Sequence, residues 1–302
     1  MTDHLADLWM EQMRRGDFEA AWQISDAVLQ SRLATPRAEL PRHLQRIWDG
    51  TPLNSKRVLV RCYHGLGDTI QFIRYAPLLK AVATEVLVLA QPRLIPLLTT
   101  ARGIDRLLPL DDGEPQVEFD ADVETMELPH VFRTTLETIP TEIPYLHVEP
   151  ISFERDDHLE VGVVWTAGDW DARRCIPFSV IAPLFDVRGV RWHILQRDAE
   201  ACGWRKGMGT RTGGSDILED ARIIRALDLL ISVDTMTAHL AGALGVPVWT
   251  LLQAEADWRW MQHRIDSLWY PTMRLFRQAS PGKWAEVISQ VAAVLERMIA
   301  TG

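Results

Sequence analysis

One strand–helix–strand segment limits the folds open to this chain more than any other feature. Leu229–Val233 is an apolar run of strand length, and a short helix with small residues on one face follows it. Gly245 ends that helix, and Val246–Leu252 is a second buried apolar run. Short apolar runs bounded by turn residues and separated by a helix are typical of α/β proteins. The segment therefore predicts two strands of an α/β sheet joined by a short helix.

The start of this helix has the features of an anion-binding site. Asp234 and Thr235 are favourable N-cap residues, and Thr235 and Thr237 add hydroxyl donors. The first amides of a helix lack partners within it, and the helix dipole is positive at that end. His239 lies one turn after Thr235 on the same face. We expect a phosphate group to bind here.

The same alternation of strands and helices runs through two series. Residues 51–150 and residues 151–280 each predict a mostly parallel, doubly wound α/β domain, with a crevice between the two. Three prolines and no clear period between Ile139 and Pro150 predict the linker. Residues 281–302 predict a final amphipathic helix.

Residues 1–48 predict a helical hairpin broken at Gly16-Asp17. Phe18, Ala21 and Trp22 resemble part of a tetratricopeptide repeat. A single unit of that kind has no neighbour of its own to stack on. We therefore expect the hairpin to pack on the main body or to be the remnant of a longer array, and it is a candidate surface for a protein partner.

Composition narrows the classes of partner and location. The net charge of −9 argues against general nucleic-acid binding, which needs a basic face. No apolar run has the roughly 18 residues of a membrane span, and the charged N-terminus lacks a signal-peptide core. Three cysteines without metal-ligand spacing predict reduced, largely buried thiols. We expect a cytoplasmic protein.

A glycine-rich segment follows the first strand of residues 51–150. His64-Gly65-Leu66-Gly67-Asp68 is not a dinucleotide fingerprint, because Ile70 stands where the third glycine is needed. An α/β-hydrolase interpretation of His64-Gly65 fails because the chain has no Gly-x-Ser-x-Gly elbow. A tight turn that aims Asp68 into the crevice remains. The alternative, that Asp68 only caps the next helix, stays open.

Two further motifs have weaker interpretations. Asp169-Trp170-Asp171 matches an Asp-x-Asp metal motif, but Arg173 and Arg174 beside it would repel a divalent cation. We predict no metal there, and the loop from Thr166 to Arg174 suits an anionic diphosphate. Trp258-Arg259-Trp260 predicts packing between the domains.

Taken together, these motifs resemble the glycosyltransferase family that contains the ADP-heptose:lipopolysaccharide heptosyltransferases, and in particular its shorter, tetratricopeptide-associated relatives. The resemblance spans about residues 51–300 and is strongest from Asp234 to Gly245. It implies a GT-B fold: two Rossmann-like, doubly wound domains facing a crevice, here with the N-terminal helical hairpin added. It also implies that the helix at 281–302 crosses back to the N-terminal domain.

The resemblance assigns roles to individual residues. Asp68 matches the proposed catalytic base, with His64, Gly65 and Gly67 on the acceptor side. The residues matching the donor-diphosphate site are Thr166, Ala167, Gly168, Arg174, Asp234, Thr235, Met236, Thr237 and His239. Met236 departs from the family, which usually has a small residue there. Glu200 and Glu219 both remain candidates for the acidic residue on the donor ribose.

The implied activity is an inverting, metal-independent transfer of a sugar, heptose or another, from a nucleotide-diphosphate sugar to a hydroxyl on a glycan or protein. The nucleotide sugar is the donor substrate, and no cofactor is expected. Asp68 would act as general base, and helix-start amides with Arg174 would stabilise the departing diphosphate. The alternatives are a non-catalytic nucleotide-sugar-binding or scaffold protein, and an epimerase, for which no convincing set of acids and bases is present.

Overall fold

The computed structural model describes residues 2–301 except 33–34, 37–38, 41–47, 49, 112, 114, 169 and 215, with the side chains of residues 2 and 3 also left out. Asp169 and much of the second half of the predicted hairpin region therefore lie outside the described residues. The chain divides into two compact units. The first contains residues 1–145 and 257–263, and the second contains 146–256 and 264–302.

The first unit is built on a parallel four-stranded sheet. Its strands are β1 (Arg57–Arg61), β2 (Glu85–Ala90), β3 (Arg106–Pro109) and β4 (Ala121–Glu124), in the order β3-β2-β1-β4. All three strand pairs are parallel. The chain winds outward from β1 in one direction to β2 and β3 and in the other to β4. Open α/β sheets bind ligands where this direction reverses, so the loops after β1 and β4 are the expected site.

Six described helices accompany this sheet. They are α1 (Thr2–Arg15), α2 (Phe18–Arg32), α3 (Leu66–Phe72), α4 (Ala76–Val82), α5 (Ile95–Leu98) and α6 (Leu128–Val131). The segment after β1 forms two helices, α3 and α4, joined by a short 3-10 turn over Ile73–Tyr75. The tighter turn precedes Pro77, which lacks the amide needed to continue a regular helix through this point.

The hairpin formed by α1 and α2 packs within the first unit. Packing on the main body is one of the two arrangements that the sequence predicts. Trp22 is buried, and its indole Nε1 donates to the carbonyl of Thr134 at 2.7 Å. The rings of Trp9 and Phe18 meet Trp258 edge to face, with centroids 5.7 and 6.3 Å apart. The aromatic face of the hairpin is therefore used for packing, which supplies the apolar contacts that stacked repeats would otherwise provide.

The second unit contains a parallel six-stranded sheet. Its strands are β5 (Leu159–Val164), β6 (Val190–Ile194), β7 (Thr210–Arg211), β8 (Leu229–Val233), β9 (Val248–Leu252) and β10 (Met273–Arg277). Their order is β10-β9-β8-β5-β6-β7, so the winding direction reverses between β5 and β8. The predicted doubly wound pattern is confirmed here, and β7 and β10 are strands that the sequence analysis missed. The loops after β5 and β8 are the expected ligand-binding edge.

The helices of the second unit are α7 (Phe178–Ile181), α8 (Ile217–Ala226), α9 (Met236–Ala243) and α10 (Trp284–Thr301). The predicted strand–helix–strand segment is β8, α9 and β9. Helix α10 buries Trp284, Val287 and Val291 in the same core cluster as Trp165. The division of the chain thus differs from the predicted boundaries: α10 belongs to the second unit, and the late segment grouped with the first unit is 257–263. No described helix is both long enough and apolar enough to cross a membrane.

At Gly242, α9 packs closely against the ring of Tyr270, which precedes β10. A Cβ added at Gly242 would stand 2.3 Å from Cδ1 of Tyr270, whose ring is fully buried. We expect Gly242→Ala to lower the free energy of unfolding by about 1–3 kcal/mol, because overpacking of a rigid ring outweighs the helix propensity that alanine adds. Urea denaturation measures this. Gly168→Ala is the matched control, since its Cβ would meet nothing within 4 Å; equal stability of the two variants would contradict the prediction.

Candidate active site

Asp68 lies at the reversal point of the first unit's sheet, in the first turn of α3. The helix begins at Leu66 with Gly65 as its N-cap, three residues earlier than a loop that runs through Asp68 would allow. Oδ2 of Asp68 accepts a hydrogen bond from the amide of Gly65 at 2.9 Å. Neither Gly65 nor Gly67 has a positive φ, so the expected tight glycine turn is wrong. The turn is made by helix capping, which the sequence analysis kept as its alternative.

Arg259 contacts the other oxygen of Asp68. Its Nη2 donates to Asp68 Oδ1, its Nε donates to Gln71 Oε1 at 2.7 Å, and its Nη1 donates to Asp257 Oδ1 at 2.8 Å. The Arg259 side chain is 8% exposed and that of Asp68 is 26% exposed. Asp68 therefore does more than cap a helix. It is a partly accessible carboxylate fixed by a buried cation.

Aromatic rings enclose the guanidinium of Arg259. Its Cζ lies 5.3 Å from the ring centroid of Phe72 and 4.9 Å from that of Trp258. The rings of Phe72 and Trp258 are themselves stacked, with centroids 6.2 Å apart. All these residues belong to the first unit. Within that unit, Trp258 packs on the guanidinium of Arg259, and Arg259 fixes Asp68. From the sequence, this cluster predicts interdomain packing, because no local pattern links residue 259 to residue 68.

The ends of two further strands hold the loop before α3. At the end of β2, the side chain of Gln91 donates to the carbonyl of His64 at 2.7 Å and accepts from the hydroxyl of Thr69 at 3.0 Å. At the end of β4, Oε2 of Glu124 lies 3.6 Å from Nε2 of His64. His64 is partly exposed at this edge. The predicted acceptor-side residues thus lie beside Asp68, and Gln91 and Glu124 are two residues of this site that the sequence analysis did not find.

In the second unit, the predicted start of α9 is confirmed. Thr235 is the N-cap, and its hydroxyl accepts from the amide of Thr237 at 3.1 Å. The carbonyl of Thr235 accepts from the amide of Ala238, also at 3.1 Å. Two amides of the first turn are therefore already used within the protein. Thr235, Met236 and Thr237 are half-buried while the strand before them is buried, so the helix start is an accessible edge.

Arg174 joins the loop after β5 to this helix start. Its Nη1 donates to the carbonyl of Asp234 at 3.0 Å. The predicted basic residue and the predicted helix start are therefore adjacent. The guanidinium adds positive charge at the end of α9 that the helix dipole already favours for anions.

The loop from Thr166 to Gly168 is held from beneath by Gln196. Oε1 of Gln196 accepts from the amides of Trp165 and Thr166 at 3.0 and 2.9 Å, and its Nε2 donates to the Thr166 hydroxyl at 2.6 Å. The amide of Ala167 donates to Sγ of Cys175 at 3.3 Å. Gly168 is exposed. The loop is fixed in place, but two of its three amides are used internally, which is fewer free donors than the sequence suggested.

His239 is buried behind the helix start. It is 5% exposed, its Nδ1 lies 3.0 Å from the hydroxyl of Tyr270, and its Nε2 lies 3.9 Å from Oδ1 of Asp234. In this position His239 supports Asp234 and the helix start from within. A direct contact with the donor stays a prediction.

Asp171 is occupied by cationic and amide partners. Its carboxylate accepts from Arg173 Nε and Nη2, both at 3.0 Å, and from Nε2 of Gln253 at 2.8 Å. The hydrogen bond from Arg173 holds the pKa of Asp171 far below its usual range. Asp169, the other carboxylate of the Asp-x-Asp motif, lies outside the described residues. Among the residues that the structure describes, no group of three or more His, Cys, Asp or Glu side chains could hold a metal ion.

The two candidate ribose residues each pair with an arginine of the second unit. Glu200 forms an ion pair with Arg211 at 3.1 Å, and Glu219 lies 3.4 Å from Arg222. Both carboxylates are about half exposed. A separate cleft of about 370 Å³ in this unit is lined by Arg173, Gln253 and Trp284 among others, and it contains none of the predicted donor residues.

Comparisons with known proteins agree with this architecture. No family model matches the chain. The chain is 25% identical over 341 aligned positions to the protein FlbA of Caulobacter vibrioides; the match covers 98% of this chain and 56% of that protein. The chain thus spans about half the length of this curated relative.

Two solved structures have the same fold. A family 9 glycosyltransferase from Veillonella parvula is 14% identical with a TM-score of 0.60, covering 84% of this chain and all of that one. The ADP-heptose lipopolysaccharide heptosyltransferase II of Escherichia coli is 12% identical with a TM-score of 0.52, covering 80% and 99% of the two chains. The chain therefore has the α/β fold of the heptosyltransferase-like glycosyltransferases, as the resemblance implied.

The buried position of Arg259 leads to a stability prediction. We expect Arg259→Gln to lower the free energy of unfolding by about 3 kcal/mol, because it removes the hydrogen bonds that the buried guanidinium donates to Asp68, Gln71 and Asp257. Chemical denaturation measures this change. Arg173→Gln is the matched control: Arg173 also contacts two carboxylates but is 62% exposed, so it should cost less than about 1 kcal/mol. Similar losses for both variants would show that the Arg259 cluster is not a buried ion pair in solution.

Proposed function

We propose that this protein is an inverting, metal-independent glycosyltransferase of the cytoplasm. It transfers a sugar from a nucleotide-diphosphate sugar to a hydroxyl group on a glycan or protein. The observation that carries the proposal is Asp68: a partly exposed carboxylate, fixed by Arg259, at the ligand-binding edge of a sheet whose fold is that of heptosyltransferase-like glycosyltransferases. A scaffold protein has no need of such a group.

Asp68 is suited to act as a general base. Each of its oxygens accepts one hydrogen bond, from the amide of Gly65 and from Arg259, and each retains a second lone pair. A quarter of the side chain remains accessible to an acceptor hydroxyl. In the proposed step Asp68 takes the proton of the acceptor hydroxyl while the hydroxyl oxygen attacks the anomeric carbon and the nucleotide diphosphate departs. This assistance contributes about 10²–10⁴-fold to the rate.

The start of α9 is suited to the departing diphosphate. The charge that develops on the leaving group would be stabilised by the dipole of α9, by the hydroxyls of Thr235 and Thr237 and by Arg174. Since two first-turn amides and two amides of the 166–168 loop are used internally, Arg174 carries a larger share of this work than it would in a loop with free amides. A cationic side chain in this role makes a metal unnecessary. The name of the Escherichia coli neighbour supports an ADP-linked heptose as the first donor to test.

Asp68→Asn tests the base directly. We expect the variant to lose at least about 100-fold in transfer rate while its affinity for the donor nucleotide stays within twofold, because the amide cannot take a proton. Transfer is measured as nucleotide release, and binding is measured by calorimetry. Asp257→Asn is the matched control, since it also removes a carboxylate partner of Arg259 but leaves Asp68 in place. Transfer by Asp68→Asn at the wild-type rate would refute the role of Asp68 as base.

A thermal-shift panel of ADP-, UDP- and GDP-sugars tests the donor site. A ligand present at 100 times its dissociation constant should stabilise the protein by about 2.7 kcal/mol. Arg174→Gln should reduce the shift, because it removes the cation at the helix start, whereas Arg173→Gln should not. Absence of a shift with every nucleotide sugar would overturn the donor site. Binding without transfer or hydrolysis would instead favour a non-catalytic nucleotide-sugar-binding or scaffold protein.

A further inference from the structure

A second carboxyl group stands at the same reversal point as Asp68. Glu124 is the last residue of β4 and pairs in register with Arg61, the last residue of β1. The side chain of Glu124 is 2% exposed. Its Oε2 accepts from the amide of Met126 at 2.6 Å. Its Oε1 is buried and has no hydrogen-bond partner among the residues that the structure describes.

The surroundings of Glu124 do not favour a negative charge. Glu127 and Asp68 are acidic neighbours, and the buried thiol of Cys62 is also close enough to interact electrostatically. His64 is the basic group that faces it, at 3.6 Å. A buried carboxylate oxygen without a hydrogen-bond partner is unfavourable, and a second anion beside Asp68 adds repulsion. A protonated carboxyl at this position avoids both costs.

The backbone contacts of Glu124 connect it to the loop that carries the base. The amide of Tyr63, which follows β1, interacts with its carboxyl as well as the amide of Met126. His64 is the next residue, and the N-cap Gly65 and Asp68 follow it within one turn. Glu124 is therefore placed to hold the entry to α3 through its contacts with residues 63 and 64.

We propose that Glu124, in its protonated form, is a positioning residue that supports Asp68. A neutral carboxyl at the end of β4 holds residues 62–65 and leaves Asp68 without a second negative charge nearby. When Glu124 ionises, the buried charge favours local opening of the entry to α3, and the approach of an acceptor to Asp68 becomes less favourable. This inference rests on the proposed function for its catalytic consequence, but not for the protonation of Glu124 or its effect on the loop.

Burial, followed by the charges of Glu127 and Asp68, raises the pKa of Glu124 to about 8, against the hydrogen bonds from the amides of Met126 and Tyr63. The carboxyl is then mostly protonated at pH 7 and mostly ionised at pH 9. Both the protonated and the ionised state of Glu124 can therefore be studied between pH 7 and pH 9. A substitution by glutamine mimics the protonated state and removes the titration.

The first experiment is a pH profile of nucleotide release from ADP-heptose by the full chain. We expect kcat/KM of the wild type to fall about tenfold per pH unit above pH 8, and Glu124→Gln to keep its pH 7 rate through pH 9. Glu127→Gln is the matched control. It removes a neighbouring charge of the same sign but leaves Glu124 in place, so the alkaline decline should remain. A Glu124→Gln variant with the wild-type decline would overturn the proposal.

Hydrogen–deuterium exchange of residues 62–69 provides a readout that needs no activity. After correction for the intrinsic dependence of exchange on pH, protection of these amides in the wild type should fall several-fold between pH 7 and pH 9. In Glu124→Gln it should stay constant. Unchanged protection in the wild type would overturn the positioning role even if Glu124→Gln fails to fold. If neither protein acts on ADP-heptose but protection changes as expected, the proposed function loses support while the role of Glu124 in the loop stands.

Discussion

The buried ion pair between Arg259 and Asp68 is the interaction on which the first unit's site depends. Arg259 comes from a segment that follows β9 in the chain, almost 200 residues after Asp68. Its guanidinium bonds two carboxylates and one amide while stacked aromatic rings exclude water around it. A cation in such a site is tolerated because it is fully paired. Two carboxylates against one guanidinium leave a net negative charge, so Asp68 is fixed in position without being neutralised.

Both sheets carry their candidate residues at the point where the winding direction reverses, but the charges at these two points are opposite. In each unit the winding direction reverses between two central strands, and the loops after those strands carry the candidate residues. In the first unit the charged candidate is the carboxylate of Asp68, beside the neutral carboxyl proposed for Glu124. In the second unit the candidates are Arg174, Thr235 and the positive end of α9. A base and an anion-binding site need opposite electrostatics, so the separation of charge between the units agrees with the division of labour that we propose.

Local patterns predicted much of this structure. The apolar runs predicted β8 to the residue and β9 to within two residues, and the N-cap chemistry of Thr235 located the start of α9. The errors occurred where long-range contacts decide. The 64–68 segment was expected to turn through glycine geometry, yet Asp68 reaches back to the amide of Gly65 and starts the helix earlier. Arg259, Gln91 and Glu124 lie far from Asp68 in sequence, and no spacing rule could join them to it.

The chemistry of Glu124 is easier to explain by function than by folding. Its pKa in the folded protein lies above the ordinary value of 4.5, so the unfolded chain ionises first as the pH rises. The stability that the protonated carboxyl provides is present below about pH 4.5 and is lost progressively up to about pH 8, where the difference amounts to several kcal/mol. Glutamine would accept the same backbone hydrogen bonds without this loss. Proteins tolerate such local costs chiefly where activity requires them. A titrating carboxyl beside Asp68, the proposed general base, meets that condition.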